Sequence, residues 1–319
     1  MTPRIARWIV AIAAVSWLMG CGTSHLAVLT QHNDGLRTGA YLHERELTPG
    51  SVDPATGPGM VRRYSRPVNG NLNGQLLYAP RIDIGGERKD LVIAVTTKNQ
   101  VSAWDLNEER DPGTARGLVW AHTLPSAPSP PMETAIGINS TPVIDRNRTT
   151  LYLVYGISNG LFPINGVGDG GYQVELHLAA LDLRTGTVLR DVLISGSVPS
   201  AVSPGHVDFV ARRQIQRAGL LLIDNPLQSG EQTIYVAFAS RWREETHNWH
   251  GWVFGYDAAS FAPRGVFCST PDRRADSEGG GIWQGGAGIA ADGDGNLYFN
   301  TGYPLSSSEF AKLDVYPAY

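Results

Sequence analysis

The sequence predicts an all-β protein built from four-stranded antiparallel units, and three observations carry that reading. Helical periodicity is absent beyond the first 20 residues, while 37 Gly and 20 Pro supply the turns that many short strands need. One pattern recurs: "VSAWDL" (101–106), "LAALDL" (178–183) and "WVFGYD" (252–257) each set an Asp after an apolar and aromatic run, and Asp105, Asp182 and Asp257 are spaced 77 and 75 residues apart. Around each of them stand three further strand-like runs, in the same order. Four strands per unit at such a period are the signature of β-propeller blades with inserted loops, and about three and a half blades are present, an incomplete propeller.

The first residues are a targeting signal. Arg4 and Arg7 form a basic region, "WIVAIAAVSWL" (8–18) is an apolar run too short to span a bilayer comfortably, and "LMGC" (18–21) follows. This pattern resembles the lipobox of bacterial lipoproteins, which implies cleavage before Cys21 and a lipid on its thiol. A plain signal peptide or an uncleaved anchor are the other readings. Gly22, by analogy with enterobacterial sorting, favours the outer membrane, facing the periplasm or the cell surface. Residues 1–20 are thus expected to be a signal peptide and 21–59 a linker and arm. With Cys21 lipidated, Cys268 is alone; in "GVFCST" it reads as a small buried apolar residue. The net charge of -4 gives no footprint for nucleic acid, and no other segment is apolar enough to span a membrane, so a lipid anchor is the one membrane contact expected.

The blades occupy 60–302. Each inner strand ends in Asp: "APRID" (79–83), "TPVID" (141–145), "LLLID" (220–224) and "GIAAD" (288–292). Second strands follow at "LVIAVTT" (91–97), "LYLVYG" (151–156), "IYVAFA" (234–239) and "LYFNTG" (297–302). The Asp-containing third strands come next, and outer strands lie at "GLVWAHTL" (117–124), "TVLRDVLI" (187–194) and "RGVFCS" (264–269). A blade cannot cover both its faces alone, so stacking around an axis supplies the core. Asp83, Asp145, Asp224 and Asp292 precede turns and read as Asx turn formers.

The elements "TPVID…LYLVYG…LAALDLRTGTVL" resemble the PQQ-type β-propeller repeat of quinoprotein-like proteins, and "LTQHNDGLRTGAYLHERELTPGSV" and "HGWVFGYDAAS…GGGIWQGGAGIAADGDGNLYFNTG" resemble one bacterial subgroup of them. The resemblance covers about 27–302. It implies a propeller of six to eight blades, often without an established activity. It admits PQQ as a cofactor, but the vicinal Cys-Cys pair of the true dehydrogenases is absent. After Gly302 the text departs from the family, so 303–319 reads as a divergent tail, blade four is expected to lack its outer two strands, and the chain reads as truncated. In the family pattern "MVRRYSRPVNG" (60–70) would be the outer strand that completes the last blade.

Strand direction puts the links between blades and those between second and third strands on one face. These are long (125–139, 157–174, 196–218, 240–250, 270–286), whereas the opposite face carries shorter turns. Long loops on a rigid scaffold are where binding concentrates. Candidate ligand contacts on that face are Glu133, Asn139, Arg212, His247, His250, Trp252, Trp283 and Gln284. His250 and Trp252 read equally as packing residues at a strand start. Trp283 either stacks on a planar ring or plugs the channel, and Gln284 either lines a pocket or ties blades together. The spacing of His247 and His250 is not a helical metal motif, and no metal site is assigned. The leading expectation is a lipid-anchored module that binds a protein, peptide or glycan. The alternative is a PQQ- or metal-dependent oxidoreductase.

Overall fold

In a computed structural model of the chain the described residues are 27–302, apart from 43, 45–46, 63–64, 109–115, 126–136, 159–172, 201–203, 227, 241–248 and 272–277, together with the backbone of 313–317. Blade one is β1 (Leu77–Ile84), β2 (Glu87–Val95), β3 (Gln100–Asp105) and β4 (Leu118–Thr123), paired in that order and antiparallel throughout. Blade two repeats it with β5 (Val143–Asp145), β6 (Thr150–Ser158), β7 (Val174–Asp182) and β8 (Val188–Leu193). A hairpin of β9 (Ser197–Pro199) and β10 (His206–Asp208) then precedes blade three. There the inner strand is split into β11 (Gln214–Ile215) and β12 (Leu221–Asp224), both paired with β13 (Gln232–Ser240). β14 (Trp249–His250), β15 (Trp252–Asp257) and β16 (Pro263–Cys268) follow, and β15 joins β13 to β16. After β17 (Glu278–Gly279), which runs parallel to β14, blade four comprises β18 (Ala290–Ala291), β19 (Asn296–Asn300) and β20 (Leu313–Pro317). The incomplete propeller of four-stranded antiparallel blades is therefore the observed architecture.

β20 corrects the expectation that blade four stops after its second strand: it pairs with β19 from Asn296–Pro317 to Asn300–Leu313. The segment "LDVYP" does not end in Asp and so does not show the repeat. Residues 60–70, which the family pattern makes the outer strand of the last blade, form no strand among the described residues, and Met60 and Val61 are exposed.

Three cores lie between adjacent blades, and period-two alternation deals residues into them. In blade two Leu151, Leu153, Tyr155, Ala179 and Leu181 face blade one, whereas Tyr152, Val154, Leu176, Leu178 and Ala180 face blade three. A third core joins blade three, through Tyr235, Ala237 and Val253, to Ile289, Leu297 and Phe299 of blade four. Burial on both sides explains why second strands read as unbroken apolar runs. Polar links cross the same seams: Trp120 Nε1 donates to Leu183 O (2.9 Å), and Tyr152 Oη to Ala258 O (3.0 Å). Gly186, in the left-handed region at φ 73°, makes room for the Trp120 ring, which a Cβ there would meet at 2.4 Å. Cys268 is buried (2% exposed), as the sequence suggests.

The stretch read as a linker does more than link. Residues 27–39 thread the axis and bond to all four blades. Val28 and Tyr78 exchange backbone hydrogen bonds of 2.9 and 2.8 Å, and Leu29 O accepts from Ile144 N (2.8 Å). Thr30 Oγ1 donates to Leu220 O (3.5 Å), and Gly35 O accepts from Ala291 N (2.9 Å).

Candidate functional site

The two ends of the blades differ as the strand directions require. At one end most connections are short, 85–86, 146–149, 183–187, 258–262 and 292–295, with 106–117 and 225–231 as the longer exceptions. At the other end lie 124–142, 159–173, 194–213 and 269–289, with 96–99 of blade one as the short exception. The short turns follow one chemistry. A carboxylate oxygen accepts from backbone N–H groups two or three residues on, at Asp83 (Gly86, 3.0 Å), Asp145 (Asn147, 2.9 Å), Asp182 (Arg184, 2.7 Å), Asp257 (Ser260, 2.7 Å) and Asp292 (Asp294, 3.0 Å). Asp224 departs from the set: it is exposed and accepts from the Gln232 side chain (3.0 Å). Arg184 and Arg264 pair with Asp182 and Asp257 at 2.6 Å each. Burial raises the Asp257 pKa, but hydrogen bonds from Ser260 and Arg264 outweigh it and hold the group down at about 2. Asn296 and Tyr298 hold Asp292 down at about 2.

Near the axis, the long-loop end holds polar side chains bonded to one another and to backbone carbonyls. Asn139 is 4% exposed; its Oδ1 accepts from Asn73 Nδ2 (2.9 Å) and its Nδ2 donates to Gly137 O (3.2 Å). Thr141 bonds to Gln31, whose Nε2 donates to Gly286 O (3.1 Å), and Ser140 bonds to Gln216. Asn99 Nδ2 ties blade one to blade two through Pro125 O (2.7 Å) and Gly156 O (2.8 Å).

Arg37 is the hub. Its Nε donates to Ile289 O (3.0 Å), one terminal nitrogen to Thr30 Oγ1 (2.6 Å) and Gln31 O (2.7 Å), and the other to Leu220 O (2.8 Å). Burial pushes the guanidinium down to about 10, opposed by the Asp34 carboxylate. Close approach here needs glycine: a Cβ on Gly219 would meet Gln31 Cβ at 2.7 Å, and one on Gly288 would meet Gly219 O at 2.8 Å.

Against this frame the candidate contacts separate. His250 (1% exposed) and Trp252 (0%) are interior: His250 Nδ1 meets Thr270 Oγ1 at 2.7 Å, and Trp252 packs edge-on to Phe209 and stacks on Phe254. Of the two readings open for them, packing is the one their burial fits. Asn139 is consumed by its own network. Arg212, on a 3₁₀ turn (Ala211–Arg213), and Trp283 and Gln284, at the start of blade four's inner segment, are half-buried at the long-loop end. Gln284 takes a left-handed φ of 30° and leads into the glycines that pass the arm. Glu133, His247 and Cys21 lie outside the described residues. Sequence reading missed Arg37, Gln31 and Thr141. Their partners lie as far as 255 residues away, and no local pattern marks such pairs.

The inner strands are engaged by residues 28–37, and the two cysteines, 247 positions apart, form no vicinal pair. Among the described residues no three His, Cys, Asp or Glu side chains converge as a metal site, and no helix is long and apolar enough to cross a membrane.

No family model matches the chain, and no curated protein matches it. Among solved structures it is similar to a europium-containing methanol dehydrogenase (11% identity, TM-score 0.42, 72% of this chain and 35% of that one). It is similar also to BamB from Moraxella catarrhalis (12%, 0.23, 72% and 61%) and to the quinohemoprotein alcohol dehydrogenase ADHIIG from Pseudomonas putida HK5 (12%, 0.27, 71% and 49%). The chain thus spans between about a third and three fifths of their lengths. The architecture assigned above rests on the chain's own sheets.

Proposed function

We propose that the protein is a lipid-anchored propeller of the bacterial cell envelope, held in the outer membrane through Cys21, that binds a protein, peptide or glycan at its long-loop end. The observation that carries this reading is the asymmetry of the blades: one end is closed mostly by short Asp-capped turns and the other presents most of the long connections. Arg212, Trp283 and Gln284 line that end, with Glu133 and His247 in its loops. The axis is engaged by the chain's own arm, which favours a loop-borne partner over a cofactor in the channel.

Photo-crosslinking groups at His206, on the long-loop end, and at Thr185, on a short turn, test the reading in whole cells. Defined adducts from position 206 and none from 185 are expected; the reverse, or none at either, defeats it. Metabolic labelling with a palmitate analogue should mark the wild type and not Cys21→Ser. Titration with PQQ and Ca²⁺ should show no saturable absorption change. Saturable binding at micromolar PQQ would favour an oxidoreductase instead.

A further inference from the structure

We infer that Arg217 is an open carboxylate-binding site at the axial mouth of the long-loop end, where it takes an acidic side chain or the C-terminal carboxylate of a polypeptide partner. The inference deepens the docking reading above and rests on it for the partner; the site itself rests on geometry. Its origin is the break in blade three's inner strand. Gln214 pairs with Ser240 and Leu221 with Tyr235, so seven chain steps (214 to 221) lie opposite five on β13 (235 to 240). Two residues are therefore extra, and such a bulge turns side chains off the sheet. The displaced stretch turns to blade four instead: Ala218 bridges Gly285, and Gly219 N donates to Ala287 O (2.8 Å). Arg217 comes to lie against Gly285, where a Cβ on the glycine would meet Arg217 Nε at 3.7 Å and a terminal nitrogen at 3.8 Å. Arg217 is half-buried, and Gly285 and Gly286 beside it are exposed, so the guanidinium stands at the surface of the mouth.

Its bonding sets Arg217 apart. Among the half-buried arginines of the described residues, Arg37 donates to the arm and the inner strands, and Arg66 donates to Glu108 O. Arg264 pairs with Asp257 and Glu231, and Arg212 and Arg213 are engaged as well. Arg217 alone donates to no acceptor and has no carboxylate within ion-pair distance among the described residues. Gln216, Ser140 and Gln31, which surround the same break, are neutral and already bonded. One unspent positive charge is thus left in a neutral mouth. The planar guanidinium fork matches a carboxylate through two parallel bonds, and one charge cancels one. A phosphate dianion would need a second free cation, and Arg37 is committed elsewhere. Partial burial strengthens such a pair over a fully exposed one, and Arg is among the residues that anchor interfaces.

Arginine modification reads the site directly. In the full chain treated with phenylglyoxal and mapped by peptide mass spectrometry, Arg217 should react several-fold faster than Arg37 and Arg264. An amidated hexaglutamate peptide should protect it several-fold, and amidated hexaglutamine should not. No protection by hexaglutamate overturns the site, and equal protection by inorganic phosphate at the same concentration overturns the carboxylate assignment. Anisotropy of fluorescein-labelled hexaglutamate should show binding to the wild type that weakens about tenfold or more in Arg217→Gln, the scale of one charge-assisted contact, and less in Arg217→Lys. Equal binding by Arg217→Gln overturns the inference. Because Arg217→Gln breaks no bond, it should melt with the wild type; a drop of several degrees would place the guanidinium in the fold and overturn it too. The crosslinks from position 206 in whole cells separate this site from the reading it deepens. Adducts undiminished by Arg217→Gln overturn the site and keep the docking end. Protection of Arg217 without any adduct keeps the site and removes the cellular docking.

Discussion

The axis and the short-turn rim are both held by polar bonds, but the bonds differ in reach. On the rim every inner- or third-strand Asp described above except Asp224 caps a turn two or three residues away, so those turns are stabilised by their own sequence. At the axis Arg37 and Gln31 reach groups 110 to 255 residues distant in the chain. Local caps add stability in small, independent amounts. The axial segment joins the inner strands of separate blades, so its loss is felt by several interfaces at once.

The largest effect is expected at Arg37. Truncation to Ala strips four hydrogen bonds, leaving Ile289 O without its donor and Leu220 O with only the 3.5 Å contact from Thr30 Oγ1, in a largely dry site. A loss of about 2–4 kcal/mol in denaturant unfolding follows from the cost of stranding buried acceptors. Arg37→Lys should fall between, keeping the charge without the planar fork. If Arg37→Ala melts with the wild type, the axis is not what joins the blades. Next comes Gly219→Ala, whose new Cβ would meet Gln31 Cβ at 2.7 Å and Ala287 O at 3.1 Å. About 1–3 kcal/mol is expected from such overpacking. Gly293→Ala, with nothing within 4 Å, serves as the matched control and should be silent.

The rim has a pH signature. Asp257 and Asp292 sit at about 2 in the folded chain, and Asp182 is also lowered, mainly by the Arg184 hydrogen bond. An unfolded Asp titrates near about 3.9. Because the folded values lie lower, the stability these groups contribute is fully present above about pH 4 and is lost as pH falls towards about 2. Melting temperatures between pH 5 and pH 2 should drop, and Asp257→Asn should be less stable than wild type at pH 6 while showing a shallower acid slope. Parallel slopes would show that Asp257 does not drive the acid loss.

The same contrast explains what was legible. The blades, their order and the Asp-ended strands are periodic and local, so "LYLVYG" and "LAALDL" disclose them. The asymmetry of the faces needs only strand direction and loop length. The axial role of "LTQHNDGLRTG" leaves no alternation or repeat to read, because it depends on partners beyond residue 140. β9, β10 and β20 lie outside the ordered set of four runs per unit, and the split inner strand of blade three carries five residues between its halves, 216–220. His250 and Trp252 look like surface candidates on residue type alone; their burial comes from β17 and Phe209 arriving from elsewhere in the chain.

The smallest predicted effect probes the one place where the repeat misleads. Sequence makes Asp145 and Asp224 equivalent, each ending an inner strand. Asp145 is 3% exposed, and its Oδ1 accepts from Asn147 N and Arg148 N in a four-residue turn. In blade three the connection is 225–231, long enough for Asn225 N to reach Glu231 O (2.7 Å), so the backbone closes without the carboxylate. Asp224 is left on the surface with the Gln232 amide. Asp145→Ala should therefore cost about 1.5–3 kcal/mol, the range for hydrogen bonds to a charged group. Asp224→Ala should stay within about 0.5 kcal/mol, as surface changes do. Urea midpoints of the two variants decide it: equal losses would mean that the longer link still needs its Asp, and that the rim is more uniform than its hydrogen bonds indicate.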